Sequence, residues 1–353
     1  MDRILGLPAK YIQGVGAIDR TGQAAFDLAD SALVFADDFV RKSFEGRVSD
    51  SLKSSGIAHQ WETFGGECCR SEIDRLAQSA RKAQAKLVIA LGGGKALDTG
   101  KAVAAELGCP FVSVPTLAST DGPVTSIAVE YSEDHTHIGV MKFNCSPATV
   151  LVDTEVIAKA PVRFLVAGMG DALSTWIEAR ACHAIGRSNF RGGKISDVAI
   201  TLARSCHDTI LEFGKDAVLA ASEGNVTEAV ERVVEANVFL SGVGVENTGV
   251  AGAHALDAAI SRSTLDHSSQ HGERVALGVL FQLALEEDHG MLESILPFFD
   301  DIGLPKHFSD IGAADPDLYM LAQLVMREGS PIRNLPFNLE EGKLLKALKT
   351  LMP

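Results

Sequence analysis

The apolar run Leu87-Val88-Ile89-Ala90-Leu91 passes directly into Gly92-Gly93-Gly94, and a helical pattern, Lys95-Ala96-Leu97-Asp98-Thr99-Gly100-Lys101, begins at once. This strand–glycine–helix junction constrains the chain more than any other segment. Three residues without Cβ let the backbone approach a ligand closely, and the new helix turns its free N–H groups and positive dipole end to the same spot. An anionic group, a pyrophosphate above all, suits such a place. The spacing is neither Gly-x-Gly-x-x-Gly nor a Walker loop, whose Lys-Ser/Thr pair is missing here. A tight strand-to-helix turn with no ligand accounts for the glycines equally well.

The surroundings extend the pattern. Residues 32–36, 59–64, 86–91 and 111–114 read as strands, and residues 40–55 as a helix. Ile73, Leu76, Ala80 and Ala83 recur at helical spacing. Short apolar runs alternating with amphipathic helices predict a mostly parallel sheet covered on both faces. Residues 124–131, 138–143 and 149–153 read as further short strands, with a hairpin around Ser132-Glu133-Asp134. Beyond Pro161 long helical patterns take over, at 163–185, 194–213, 226–243, 247–260 and 272–287. The expectation is an α/β domain over residues 1–158 and an all-helical domain over 159–353, with ligands in a cleft between them.

At 353 residues the chain suits two domains of ordinary size. A net charge of −14 disfavours nucleic acid and anionic membranes as partners. No apolar run reaches the length of a bilayer span, and Met1–Gly6 lacks the marks of a secretory signal. The six cysteines show no C-x-x-C pair and read as small buried apolar residues in a reducing cytoplasm.

Three polar residues interrupt patterns that predict burial: Asp171 in Gly168-Met169-Gly170-Asp171-Ala172, His254 in Ala253-His254-Ala255, and His271 opening His271-Gly272-Glu273-Arg274. A buried, unpaired carboxylate or imidazole is costly, and one Asp with two His can satisfy one another around a divalent metal that keeps open positions. The bland alternative makes Asp171 a helix cap and both histidines satisfied core residues. Spacing alone favours the bland account, since these residues form no local metal motif.

Gly92-Gly93-Gly94-Lys95-x-x-Asp98, Pro115-Thr116-x-Ala118-Ser119-Thr120-Asp121, Gly168-x-Gly170-Asp171-Ala172, Ala253-His254-Ala255 and His271-Gly272-x-x-Val275-Ala276-x-Gly278 occur in that order. Together they resemble the glycerol dehydrogenases of the iron-type polyol dehydrogenase superfamily, whose fold is dehydroquinate synthase-like. The likeness runs from Tyr11 to about Glu287. It implies that Asp171, His254 and His271 hold a catalytic Zn²⁺, that Gly92, Gly93, Gly94 and Lys95 shape and contact the dinucleotide phosphates, and that Thr116, Ser119, Thr125, Ile127 and Tyr131 line the rest of an NAD site. Asp37 is then placed to accept from the adenosine ribose and to repel a 2′-phosphate, favouring NAD over NADP. Asp121 and His254 contact a small polyol substrate; glycerol oxidised at C2 gives dihydroxyacetone. The resemblance also implies a cytoplasmic homo-oligomer, commonly an octamer.

Within the superfamily, iron-dependent members carry His four residues after the ligand Asp; Thr175 stands there, which suits Zn²⁺ with three protein ligands. The segments 133–139 and 265–270 depart from common members, and His267, four residues before His271, reads as a surface residue ahead of an extra ligand. His135 and His137 alternate as in a strand and read as a solvated hairpin face ahead of a metal pair. Three competing functions remain: a dehydrogenase of another small diol or 2-hydroxy compound, a dehydroquinate synthase-like lyase, and a non-catalytic relative. The lyase needs a basic cluster for its anionic substrate, and only Arg163, Arg180 and Arg274 lie near the metal residues in sequence.

Overall fold

The computed structural model describes residues 1–263 and 269–353. The N-terminal half alternates strands and helices: β1 (Lys10–Gly14), α1 (Thr21–Ala25), β2 (Ser31–Ala36), α2 (Asp38–Ser54), β3 (Ala58–Thr63), α3 (Arg70–Lys82), β4 (Leu87–Gly92), α4 (Gly94–Leu107) and β5 (Phe111–Pro115). A hairpin of β6 (Ile127–Tyr131) and β7 (His137–Lys142) follows, then β8 (Thr149–Asp153) and α5 (Thr154–Ala158). Six strands form one sheet in the order β1-β8-β5-β4-β2-β3, and every neighbouring pair is parallel. The expected parallel sheet is therefore present, and the only antiparallel strand pair among the described residues is the β6–β7 hairpin, beside one isolated antiparallel bridge between Ser188 and Lys194.

The sheet is apolar on both faces because helices cover both. Along β2, Leu33 and Phe35 pack with Ile73 and Leu76 of α3 and Leu97 of α4, whereas Val34 and Ala36 pack with Val48 and Leu52 of α2. β4 divides the same way, and all six of its residues are buried. Its sequence is therefore a continuous apolar run and not an alternation.

The C-terminal half is helical: α6 (Val162–Ala184), α7 (Asp197–Ser222), α8 (Glu228–Glu235), α9 (Ser241–Thr248), α10 (Gly252–Arg262), α11 (His271–Glu286), α12 (His289–Ile302), α13 (Leu318–Met326) and α14 (Glu341–Lys349). Its apolar core holds Leu173, Ile177, Val233, Leu256, Leu277 and Phe281 and reaches Val150 and Val152 of β8, so helices and sheet share packing. The pattern over 226–260 breaks elsewhere than its periodicity suggests. A π-helical turn, Ala236–Leu240, joins α8 to α9, and Gly249 ends α9 at φ 102°, a conformation open chiefly to glycine. No described helix is long and apolar enough to cross a membrane.

Candidate metal and cofactor site

Parallel α/β sheets bind ligands at the carboxyl ends of their strands, where loops and helix N-termini converge. β4 ends on Gly92, whose φ of 149° suits glycine alone; Gly93 is the N-cap of α4, and Gly94 and Lys95 fill its first turn. Beside it, β5 ends on Pro115, and Thr116 donates its backbone N–H to the Gly92 carbonyl at 3.0 Å. Ser119 follows in the same loop, buried like Thr116. On the other flank β2 runs into Asp37, the N-cap of α2, whose Oδ1 accepts from Val40 N at 2.9 Å. The carboxylate expected at the ribose is thus also a helix cap.

β6 is pinned over this end of the sheet by α4. Lys101 is buried, and its Nζ donates to the Ile127 carbonyl at 2.6 Å, Thr125 Oγ1 at 3.2 Å and Asp98 Oδ1 at 2.9 Å. Asp98 Oδ2 accepts from Val129 N at 2.9 Å. Thr125 and Ile127 are held in this way, and Tyr131 donates its backbone N–H to the Cys68 carbonyl at 2.9 Å. Lys95 Nζ lies 5.1 Å from the Tyr131 ring centroid and pairs with Glu67 Oε2 at 2.6 Å.

The helical half brings Asp171, His254 and His271 together, one ligand atom from each lying within 4.8 Å of the others. Asp171 sits in the middle of α6 and is not a cap; His254 is in the first turn of α10, and His271 opens α11. Close helix contact makes this possible. A Cβ on Gly272 would overlap the Ala167 carbonyl, so α11 can meet α6 only with glycine beside His271. Asp171 Oδ1 lies 3.6 Å from His254 Nε2 and 3.5 Å from His271 Nε2, too far for hydrogen bonds, and has no partner among the described residues. Each imidazole is fixed from behind: Glu178 Oε2 takes His254 Nδ1 at 2.6 Å, and Asp257 Oδ2 takes His271 Nδ1 at 3.1 Å. Both Nε2 atoms therefore face the orphaned Asp171 oxygen, the arrangement of a carboxylate–histidine–metal centre.

Charge points the same way. Burial works against the His254 imidazolium, but Glu178 and then Asp171 together outweigh it and lift the pKa to about 9. Burial likewise opposes His271⁺, yet Asp257 and then Asp171 raise it well above its usual range. Asp171 resists ionisation by burial and is nevertheless held low by His271 and His254. Asp121 joins them: its backbone N donates to Asp171 Oδ2 at 3.1 Å, its Oδ2 has no partner among the described residues, and burial with the Asp171 charge pushes its acid up to about 7. Two imidazole Nε2 atoms converge on the unpartnered Asp171 oxygen, and a divalent cation would take the place of the protons that these imidazoles otherwise hold, so the donor set fits one.

Thr175, where a fourth ligand would stand, is wholly buried, its Oγ1 2.9 Å from Ser241 Oγ. His135 is exposed in the hairpin, as the solvated-face reading expects, whereas His137 is half-buried, and the two do not form a metal pair. His135 lies in the turn, not the strand, with Nδ1 2.6 Å from Glu67 Oε2, whereas His137 Nδ1 accepts from Arg262 Nη2 at 2.7 Å. Turn and helix partners override the strand alternation read from sequence. His267 and most of the divergent 265–270 stretch lie outside the described residues. The cysteines are all unpaired, but Cys145 is exposed and Cys109 half-buried, so burial holds for four of the six. Glu178 and Asp257 were missed in the sequence, although the spacing held a signal: Glu178 is two helical turns beyond Asp171, and Asp257 three residues beyond His254.

Residues 8–154 match the family of iron-containing alcohol dehydrogenases. A glycerol dehydrogenase of Citrobacter freundii is 42% identical over 354 residues, covering 99% of this chain and 97% of that enzyme. A glycolaldehyde reductase of Halobacterium salinarum is 38% identical, covering 99% and 97%. The crystal structure of a probable glycerol dehydrogenase from Sinorhizobium meliloti superposes with a TM-score of 0.93 at 36% identity, covering 99% of this chain and 98% of that one. Similarity of this extent over sheet and helices alike bears out the resemblance in the motifs: the chain belongs to the iron-containing alcohol dehydrogenase family.

Proposed function

We propose that this protein is an NAD-dependent dehydrogenase that oxidises glycerol, or a similar small vicinal diol, at C2, giving dihydroxyacetone from glycerol. The observation that carries the reading is the convergence of Asp171, His254 and His271 beside Asp121, itself in the loop that leaves β5 next to the glycine turn. The names of the relatives support the substrate class.

Asp171, His254 and His271 would hold the cation, and Zn²⁺ is favoured over iron because Thr175 supplies no fourth ligand. Such a cation polarises a substrate hydroxyl and lowers its pKa, and the nicotinamide accepts a hydride. The rest falls to the chain. Glu178 and Asp257 keep both imidazoles oriented with Nε2 inward. Asp121 Oδ2 accepts the hydrogen bond of a second substrate hydroxyl, which fixes which carbon faces the cofactor. Gly92–Lys95, Thr116 and Ser119 take the phosphates at the α4 N-terminus, with Thr125, Ile127 and Tyr131 on the β6 side. Asp37 receives the ribose hydroxyls. The lyase reading is weakened further because Arg274 is engaged by Asp257 Oδ1 at 2.7 Å and by the Ser269 carbonyl at 2.7 Å.

Initial rates of NAD reduction with glycerol, 1,2-propanediol, 2,3-butanediol and 2-hydroxybutyrate, before and after chelation and zinc add-back, test the proposal. Zinc-restored turnover of glycerol is expected. Turnover confined to another diol keeps the chemistry and moves the substrate; no turnover with any of them overturns it.

A further inference from the structure

Between the cofactor loop and the metal helix lies a side chain from a third element. Asn237 sits in the π-helical turn Ala236–Leu240 and is wholly buried. Its Nδ2 donates to the Ala118 carbonyl at 2.9 Å and to the Leu165 carbonyl at 3.0 Å. Ala118 stands between Thr116 and Ser119 in the loop after β5, and Leu165 is in the first turns of α6, the helix of Asp171. One amide thus spans the two halves of the site.

The packing around it leaves little freedom. A Cβ on Gly168 of α6 would overlap both the Ala118 carbonyl and Asn237 Nδ2, so loop, helix and amide interlock only with glycine there. The π turn carries one residue more than an α-helical turn would, which redirects side chains along the helix by about 100°. Asn237 Oδ1, meanwhile, has no hydrogen-bond partner among the described residues. A buried unpaired acceptor is a standing penalty, and an aliphatic side chain would fill the same space without it. The amide is there for its donors.

We infer that Asn237 is a positioning residue that fixes the 116–121 loop, and with it the groups facing cofactor and substrate, against the metal-ligand helix. The inference rests on the function proposed above for its catalytic meaning, but the order of the loop can be measured without any ligand.

The test compares Asn237→Ala with Asn247→Ala. Asn247 is an equally buried asparagine on α9, whose Nδ2 donates to Gly6 O and Val243 O at 2.8 Å and whose Oδ1 accepts from Gly6 N at 2.7 Å, so that none of its hydrogen bonds reaches the 116–121 loop. Hydrogen exchange of the 116–124 amides in metal-free, cofactor-free protein and NADH binding by fluorescence are read on both. In Asn237→Ala the loop amides exchange faster and NADH binds about tenfold more weakly, while Asn247→Ala matches the parent in both readouts. Asn237→Asp keeps the side-chain volume but has at most one proton for two carbonyls. It carries the test if the truncation does not fold, with an intermediate effect on both readouts. Loop exchange and NADH affinity within about twofold of the parent in the folded variant, or equal effects in Asn247→Ala, overturn the inference. A parent protein that binds no NADH would remove the proposed function, and the exchange of the loop would still decide the role of Asn237.

Discussion

Glu178 grips His254 at two points: Oε2 takes the imidazole Nδ1 at 2.6 Å, and Oε1 accepts the His254 backbone N–H at 2.9 Å. The same Oε1 accepts Ala251 N at 2.6 Å, so one fully buried carboxylate caps the start of α10 and orients the imidazole on it. Side chain and backbone of His254 are set together, and Nε2 is left to face Asp171.

Glu178→Gln replaces the acceptor at Nδ1 with an amide that can donate. Metal affinity should fall by about 10–100-fold with the fold intact. Chelator competition followed by metal analysis, beside a far-UV spectrum, checks it; unchanged affinity would show that Glu178 is only a cap.

Gly272→Ala puts a methyl group into the Ala167 carbonyl and must separate α11 from α6. We expect destabilisation of about 1–3 kcal/mol, as for other overpacked sites, together with weaker metal retention because His271 moves with its helix. Thermal unfolding and metal content measure the two effects separately.

Asp37→Asn keeps an oxygen to cap Val40 N but removes the charge. The NADP/NAD ratio of kcat/KM should rise by roughly tenfold, which corresponds to about 1.4 kcal/mol of repulsion removed, at nearly constant Tm. An unchanged ratio would mean that another residue reads the ribose.

Burial pushes the Cys68 and Cys182 thiols up to about 12 and the Cys206 thiol well above its usual range. At pH 8 only about one in ten thousand of a thiol at 12 is thiolate, so the exposed Cys145 should react first with a disulfide reagent and the buried ones only after unfolding. Because these thiols ionise more easily in the unfolded chain, their contribution to stability is complete below about pH 8.5 and declines as pH rises toward 12. Thiol titration with and without denaturant, and melts between pH 8 and 11, test both statements.

Much of the sheet was legible because its signals are local. A strand buried on both faces must be apolar throughout, as Leu87–Leu91 is, and the glycines after it mark a backbone conformation that other residues rarely adopt. The break at Gly249 and the π turn at Ala236–Leu240 were not legible, since periodicity carries through residues whose packing partners are distant in sequence. The partners of His135 and His137 were not legible for the same reason: Glu67 and Arg262 are 68 and 125 residues away.

Sequence by itself determined the kind of layers this chain builds and which polar residues could not be left alone in apolar surroundings, because burial and backbone preference act residue by residue. It could not decide whether Asp171, His254 and His271 were three satisfied core residues or one centre. Only tertiary structure brings them together: α11 meets α6 closely at Gly272, one ligand atom from each of the three residues lies within 4.8 Å of the others, and Glu178 and Asp257 turn both imidazoles toward Asp171, because such convergence depends on packing between segments distant in sequence.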